Sequence, residues 1–249
     1  MNLAYIYEFF GTFILVLLGN GVVANSLLSG SKGEGAGWLA ITFGWGFAVF
    51  LAVTVAAPYS GAHVNPAVTI GLAMAGLFEW SMVPGYVISQ ILGGFVGAIT
   101  VYLFFRKHFE ITEDSNLYLA CFSTSPAIRN IKSNFFSEFI GTFVLVILVF
   151  FIVGPTLEAD NLTNVKVGLG SVGALPIAIV VVSIGLSLGG TTGYAINPAR
   201  DLGPRIAYSL LPFKNKKSAD WSYSWIPILG PIAGAAFASA IFLLLQSIN

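Results

Sequence analysis

Apolar residues run through this chain in long charge-free windows: Phe9 to Ser31, Gly35 to Phe78, Trp80 to Phe105, Phe139 to Leu157, Val167 to Ala199 and Trp221 to Asn249. A helix needs about 20 apolar residues to cross a bilayer core. Four windows therefore predict one span each. The second and fifth are too long for one crossing and awkward for two. Each of these carries Asn-Pro-Ala near one end, at Asn65, Pro66, Ala67 and at Asn197, Pro198, Ala199. The pattern predicts a full span, then a loop that dips back into the membrane and starts a short helix at the Pro, whose fixed φ and missing N–H suit the first helical position. The half-helices, 66–77 and 198–210, are on the order of 15 Å long, half of a bilayer core about 30 Å thick. Irregular backbone at that depth is tolerated only where it lines a water-filled cavity or is covered by protein.

The two triplets belong to a duplication. SGAHVNPAVTIG (Ser60 to Gly71) aligns with TGYAINPARDLG (Thr192 to Gly203) at an offset of 132 residues. Glu8-Phe9-Phe10-Gly11-Thr12-Phe13 aligns with Glu138-Phe139-Ile140-Gly141-Thr142-Phe143 at 130, and Ile91-Leu92-Gly93-Gly94 with Ile228-Leu229-Gly230-Pro231 at 137. The chain thus reads as a first repeat (1–105), a polar linker (106–134) and a second repeat (135–249), each repeat holding three spans and one half-helix. Three crossings is an odd number, so the second repeat lies inverted and the two Asn meet at the midplane from opposite sides. The predicted fold is an all-α membrane protein: six transmembrane helices plus two re-entrant half-helices in an inverted repeat.

Composition agrees with a membrane protein. Of 249 residues 56% are hydrophobic and 9% charged, and the mean hydropathy is +0.86. Soluble domains carry roughly a quarter charged residues. The formal net charge is zero, which points to no nucleic-acid partner. The N-terminus has no basic stretch before its apolar run and reads as the first span, not a cleaved leader. One Cys (Cys121) and two His (His63, His108) offer neither a metal cluster nor a nucleophile with its base, so no enzyme, cofactor or metal is expected.

What remains is the chemistry of two helix starts at one point. Each start carries roughly half a positive charge, which repels cations and hydrated protons. The side-chain oxygens of Asn65 and Asn197 are placed to cap their helices, leaving the amide NH₂ to donate to a passing hydroxyl or water. Arg200 lies one turn after Asn197, where the first repeat has Val68. An Arg in the membrane costs about 2.5–3.5 kcal/mol on insertion scales, which favours a functional role over an interfacial one. Asp201, in place of Thr69, is expected to face loop backbone and offset that charge. Glu8 and Glu138 are candidates to accept from the N–H groups of the re-entrant loops, or are interfacial carboxylates. His63 reads equally as pore-lining or as a hydrogen-bonded structural residue. The GxxxG pairs Gly93/Gly97 and Gly230/Gly234 predict close helix packing, within or between subunits.

These residues resemble the aquaporin and glycerol-facilitator family, the major intrinsic proteins, over nearly the whole chain: two intact NPA motifs, an Arg after the second, the duplication and the paired EFxGTF starts. NPARDLGPR, with Arg205, and Pro227 followed by the non-aromatic Ile228 are similar to the aquaglyceroporin branch. The resemblance implies a selectivity filter of Trp45, Gly185, Tyr194 and Arg200, with Gly185 leaving room for a carbon chain where water-selective members hold His. It implies a passive channel for glycerol and small uncharged solutes with some water passage, excluding ions and protons, built as a homotetramer with one pore per subunit. Tyr194 stands where glycerol facilitators often have Phe, and its hydroxyl is expected to add a polar group to the opening. The alternative is a water-selective aquaporin, against which Gly185 and Asp201 argue. A secondary transporter shares inverted repeats but calls for an ionisable coupling residue at the midplane, where this chain has Asn. Family topology places both termini in the cytoplasm, whereas the basic loop residues, Lys32, Arg106, Lys107, Arg129, Lys132, Lys214, Lys216 and Lys217, then fall outside, against the positive-inside bias. A bacterial inner membrane is the expected location.

Overall fold

The computed structural model describes residues 2–159 and 162–248. Ten α-helices follow one another: α1 (Leu3–Leu27), α2 (Gly37–Ser60), α3 (Pro66–Met74), α4 (Val83–Phe104), the short α5 (Arg106–Ile111) and α6 (Asn116–Ala120), α7 (Ile131–Phe151), α8 (Leu175–Ser187), α9 (Pro198–Leu210) and α10 (Ile226–Ile248). Six segments are long and apolar enough to cross a membrane: α1, α2, α4, α7, α8 with its preceding turn from Gly170, and α10. The helices α3 and α9 are the two half-helices, and α3 ends at Met74, earlier than the expected residue 77.

Two spans begin before their charge-free windows. The helix α1 starts at Leu3, capped by the Asn2 side chain accepting from Ala4 N at 3.1 Å. The helix α7 starts at Ile131, where Asn130 accepts from Ser133 N and its own N–H is accepted by Asn134. Glu8 and Glu138 therefore lie within spans, wholly buried. The expected linker 106–134 holds α5 and α6 and runs into α7. Between α7 and α8 the chain also forms an antiparallel hairpin of β1 (Thr156–Ala159) and β2 (Leu162–Lys166), in register Thr156 to Lys166. The fold is otherwise helical.

Packing repeats between the halves. Helix α1 packs on α2 and α4, and α7 on α8 and α10; α4 lies against α9, as α10 lies against α3. Glycine makes the closest approaches possible. A Cβ on Gly93 would overlap Phe9 O and lie 3.0 Å from Phe13 N, and a Cβ on Gly234 would overlap Phe139 O and lie 2.9 Å from Phe143 N. Both GxxxG pairs thus pack helices within the chain. They also correct the alignment of this block: Gly93 corresponds to Gly234, one turn beyond the Gly230 that the local ILG match suggests, because backbone contact fixes the register. The same glycine logic seats the half-helices, since a Cβ on Gly94 would lie 2.7 Å from Ala199 O and one on Gly203 2.6 Å from Ile91 O.

Candidate functional site

The re-entrant loops Gly61–Val64 and Gly193–Ile196 have the same irregular backbone. In the first, Gly61 (φ 79°), Ala62 (52°) and Val64 (43°) are left-handed; in the second, Gly193 (79°), Tyr194 (35°) and Ile196 (43°). Positive φ at a β-branched residue is strained and persists only where the surroundings over-determine it. The buried carboxylates do this from behind. Glu8 Oε1 accepts from Ser60 Oγ (2.7 Å) and His63 N (2.9 Å), and Oε2 from Val64 N (2.7 Å) and Gln90 Nε2 (2.7 Å). Glu138 accepts from the corresponding Ala195 N (3.0 Å) and Ile196 N (2.9 Å). Pro231 occupies the register of Gln90 in the second half, so Glu138 has no amide partner there.

The asparagines hold the loops from in front, and across the halves. Asn65 Oδ1 caps α3 by accepting from Ala67 N at 2.9 Å, and Asn197 Oδ1 caps α9 by accepting from Ala199 N and Arg200 N at 3.0 and 3.2 Å. Asn65 Nδ2 donates to Ile196 O and Asn197 Nδ2 to Val64 O, each at 2.8 Å. Of the two amide hydrogens on each Asn, one is thus committed to the opposite loop and one remains for the cavity, fewer than the sequence alone suggests.

The loops and half-helix starts border a cavity of about 210 Å³. Its lining is apolar at Leu15, Val49, Val53, Val68, Leu72 and Val181 among others, and polar at His63, Asn65, Asn197 and Arg200. Trp45 and Tyr194 also line it, and Gly185 does not. The Arg200 guanidinium lies over the Trp45 ring, 4.2 Å from its centroid, a favourable cation–π position. Arg200 is 8% exposed, and among the described residues its guanidinium donates to no protein acceptor. The space that Gly185 was expected to open is filled by Tyr194: a Cβ on Gly185 would lie 2.9 Å from Tyr194 Cζ.

His63 both lines the cavity and is held. Thr69 Oγ1 donates to Asn65 O at 3.0 Å and accepts from Gln90 Nε2 at 3.0 Å. With that one proton spent, its 3.1 Å contact with His63 Nδ1 makes Nδ1 the protonated nitrogen and leaves Nε2 as an acceptor. Phe78 and Tyr86 pack on the His63 ring, at centroid distances of 4.5 and 4.8 Å.

Asp201 lines nothing; it is fully buried. Its carboxylate accepts from Arg205 Nε (2.7 Å) and Nη2 (3.0 Å) and from Thr124 N and Oγ1 (2.8 and 2.7 Å). The charge that it offsets directly is therefore that of Arg205, whose remaining N–H groups donate to Thr124 O and Ala219 O. In the sequence Arg205 stands out as a branch marker, but an Asp and an Arg four apart on a helix are also a visible pairing signal. Gln90 and Thr69 gave no such signal. Among the described residues no group of three His, Cys, Asp or Glu is placed to hold a metal.

Six membrane-crossing helices enclosing two half-helices that meet start to start beside an internal cavity define a membrane channel, not an enzyme. The chain belongs to the major intrinsic protein family, whose model matches residues 2–242. It is 52% identical over 238 residues to a probable glycerol uptake facilitator protein of Thermotoga maritima, covering 96% of this chain and 97% of that one. It is 50% identical to the glycerol uptake facilitator protein of Streptococcus pneumoniae R6 over 94% of this chain and 96% of the relative. A solved structure, the aquaglyceroporin from Plasmodium falciparum, superposes with a TM-score of 0.80 at 33% identity, covering 96% of this chain and 93% of that one.

Proposed function

We propose that the protein is a passive channel for glycerol and other small uncharged solutes, with some water passage, that excludes ions and protons. The observation that carries this reading is a largely apolar cavity that also presents a set of hydrogen-bonding groups. Those groups are one free amide hydrogen on each Asn, the unpaired Arg200 donors and loop backbone. A linear polyol has hydroxyls along one edge and C–H groups along the other. Each hydroxyl stripped of water without a replacement costs roughly 1–3 kcal/mol, so a track of this kind lets a polyol enter where a plain apolar pore would not. Ions lose far more, and the two half-helix starts add positive potential at the midplane. Relatives named glycerol uptake facilitators, at about half identity over almost the full chain, support the same solute.

In this reading Trp45, Gly185, Tyr194 and Arg200 form the constriction, with Trp45 as its apolar corner and Arg200 as its bidentate donor. Asn65 and Asn197 form the midplane contact; Glu8, Glu138 and Asp201 support it, and His63 Nε2 is one more acceptor along the track. The reading includes a homotetramer in a bacterial plasma membrane with cytoplasmic termini, by analogy with the family. The alternative is a narrower, water-selective channel, in which the Tyr194 side chain lining the cavity leaves too little width for a carbon chain.

Stopped-flow light scattering on proteoliposomes separates the two. Shrinkage under an impermeant osmolyte followed by fast re-swelling under a glycerol gradient, independent of ion gradients, supports the glycerol channel. Fast shrinkage without re-swelling identifies a water channel.

A further inference from the structure

The phenol of Tyr194 lies in a slot made by two glycines one helical turn apart. A Cβ on Gly185 would lie 2.9 Å from Tyr194 Cζ and 3.1 Å from its Oη, and a Cβ on Gly189 would overlap the edge of the ring. The hydroxyl thus points along α8 toward the Gly185 end. Trp38 of α2 closes one side of the slot: its Nε1 donates to Gly185 O at 3.0 Å, and its ring meets that of Tyr194 edge to face at 5.7 Å and 78°. Thr42, one turn further along α2, closes the end. The Cβ position of Gly185 that is 3.1 Å from Tyr194 Oη is 2.6 Å from Thr42 Cγ2, so the phenol and the threonine side chain flank the same small space. Thr42 is wholly buried, and neither Thr42 Oγ1 nor Tyr194 Oη has any hydrogen-bond partner among the described residues, the other hydroxyl included.

Two buried hydroxyls that flank one space and both lack partners are unfavourable apart and favourable together. A hydroxyl is both donor and acceptor, so a small turn of the Thr42 side chain lets the pair satisfy itself in either sense. We propose that Thr42 is a specificity-determining residue of this channel. Its hydroxyl is the resting partner of Tyr194, and it keeps the phenol retracted beside Gly185 and out of the conducting path. Retracted, Tyr194 offers the cavity the apolar face of its ring, much as a Phe would. Without Thr42 Oγ1 the phenol gains a partner only by turning toward the lumen and Arg200, where it adds a polar group and takes up width that a carbon chain needs. This inference rests on the glycerol-channel reading.

The test is Thr42→Val, which keeps the branched shape and removes the hydroxyl, read as the ratio of glycerol to water permeability in proteoliposomes. The ratio is expected to fall about fivefold, the rate equivalent of one net hydrogen bond of ~1 kcal/mol. Thr42→Ser, which retains the hydroxyl, restores the wild-type ratio. In a Tyr194→Phe background, Thr42→Val leaves the ratio unchanged, because no phenol remains to be held. An unchanged ratio in Thr42→Val alone overturns the proposal, and so does an equal fall in the Phe background, which would mark Thr42 as a packing residue. Wild-type protein that passes no glycerol overturns the glycerol-channel reading, whatever the variants do.

Discussion

Glu8→Gln tests the frame on which the site hangs. Four groups face this carboxylate, and all four donate: Ser60 Oγ, His63 N, Val64 N and Gln90 Nε2, at 2.7–2.9 Å. Glutamine keeps one oxygen and replaces the other with a donor. If its oxygen keeps Ser60 and His63, its NH₂ meets Val64 N–H and Gln90. Gln90 has an unpartnered Oε1 to turn toward it, at the expense of the 3.0 Å bond to Thr69. Val64 N–H has no such recourse, and in the opposite orientation His63 N–H is stranded instead. At least one buried backbone N–H is therefore orphaned and one charge-assisted bond lost, a cost of about 3 kcal/mol. At roughly 2–4 °C per kcal/mol for a chain of this size, the unfolding midpoint falls about 6–12 °C. Tryptophan fluorescence during a thermal ramp in detergent micelles reads the shift. The released Val64 peptide also loses its reason to remain at positive φ, so glycerol flux falls with stability. A midpoint within about 2 °C of wild type, with unchanged flux, would refute the account of Glu8 as the anchor of the first loop.

Three further outcomes follow from the site. Gly185→His introduces a Cβ 2.6 Å from Thr42 and 2.9 Å from Tyr194, so it drives the phenol into the lumen. Glycerol permeability should drop at least fivefold while water passage is spared, the cost of about one unreplaced hydroxyl contact; unchanged glycerol flux removes Gly185 from the constriction. Arg200→Val, the first-repeat residue, should weaken proton or ion exclusion in a liposome pH-dye assay, and nil conductance would mean that the half-helix starts alone suffice. Asp201→Ala leaves Arg205 buried and unpaired at about 3–5 kcal/mol, so the monodisperse yield on size exclusion should collapse. Adding Arg205→Met should recover part of it, and no recovery would locate the defect at Thr124 instead.

How much of this was legible depends on whether the signal lay in composition or in distance. Charge-free windows located the spans and Asn-Pro located both half-helix starts, because those features follow from desolvation and backbone chemistry. The same windows misplaced the starts of α1 and α7. In sequence a charge reads as a boundary, yet Glu8 and Glu138 lie inside the spans, their carboxylates bonded to loop N–H groups some fifty residues away. Gln90 and Thr69 read as ordinary polar residues on apolar helices, since only the fold brings them to Glu8 and His63. Trp38 and Thr42 were hidden in the same way, and Gly185 read as an open position because nothing in one sequence says which side chain will fill a glycine's space. The β1/β2 hairpin fell in a segment that lacked the Asn-Gly type of turn signal.

The crossed asparagines couple the halves more tightly than a shared cavity would. Val64 and Ile196 each hold a β-branched residue at φ 43°, a strain of order 1–3 kcal/mol apiece. The N–H of each is fixed by the carboxylate of its own repeat, but its carbonyl is fixed by the Asn of the other. Neither loop can relax without breaking a bond to the opposite half, so the midplane geometry is a joint property of the two repeats. The positions where the repeats differ lie around this frame: Arg200 for Val68, Asp201 for Thr69, Ala195 for His63 and Pro231 for Gln90. None of these positions supplies a crossed Asn bond. Solute preference can therefore change at Arg200, at Tyr194 in its glycine slot or at Thr42 behind it while the asparagine contact stays in place. On this argument Thr42→Val should alter selectivity with little loss of thermal stability relative to Glu8→Gln.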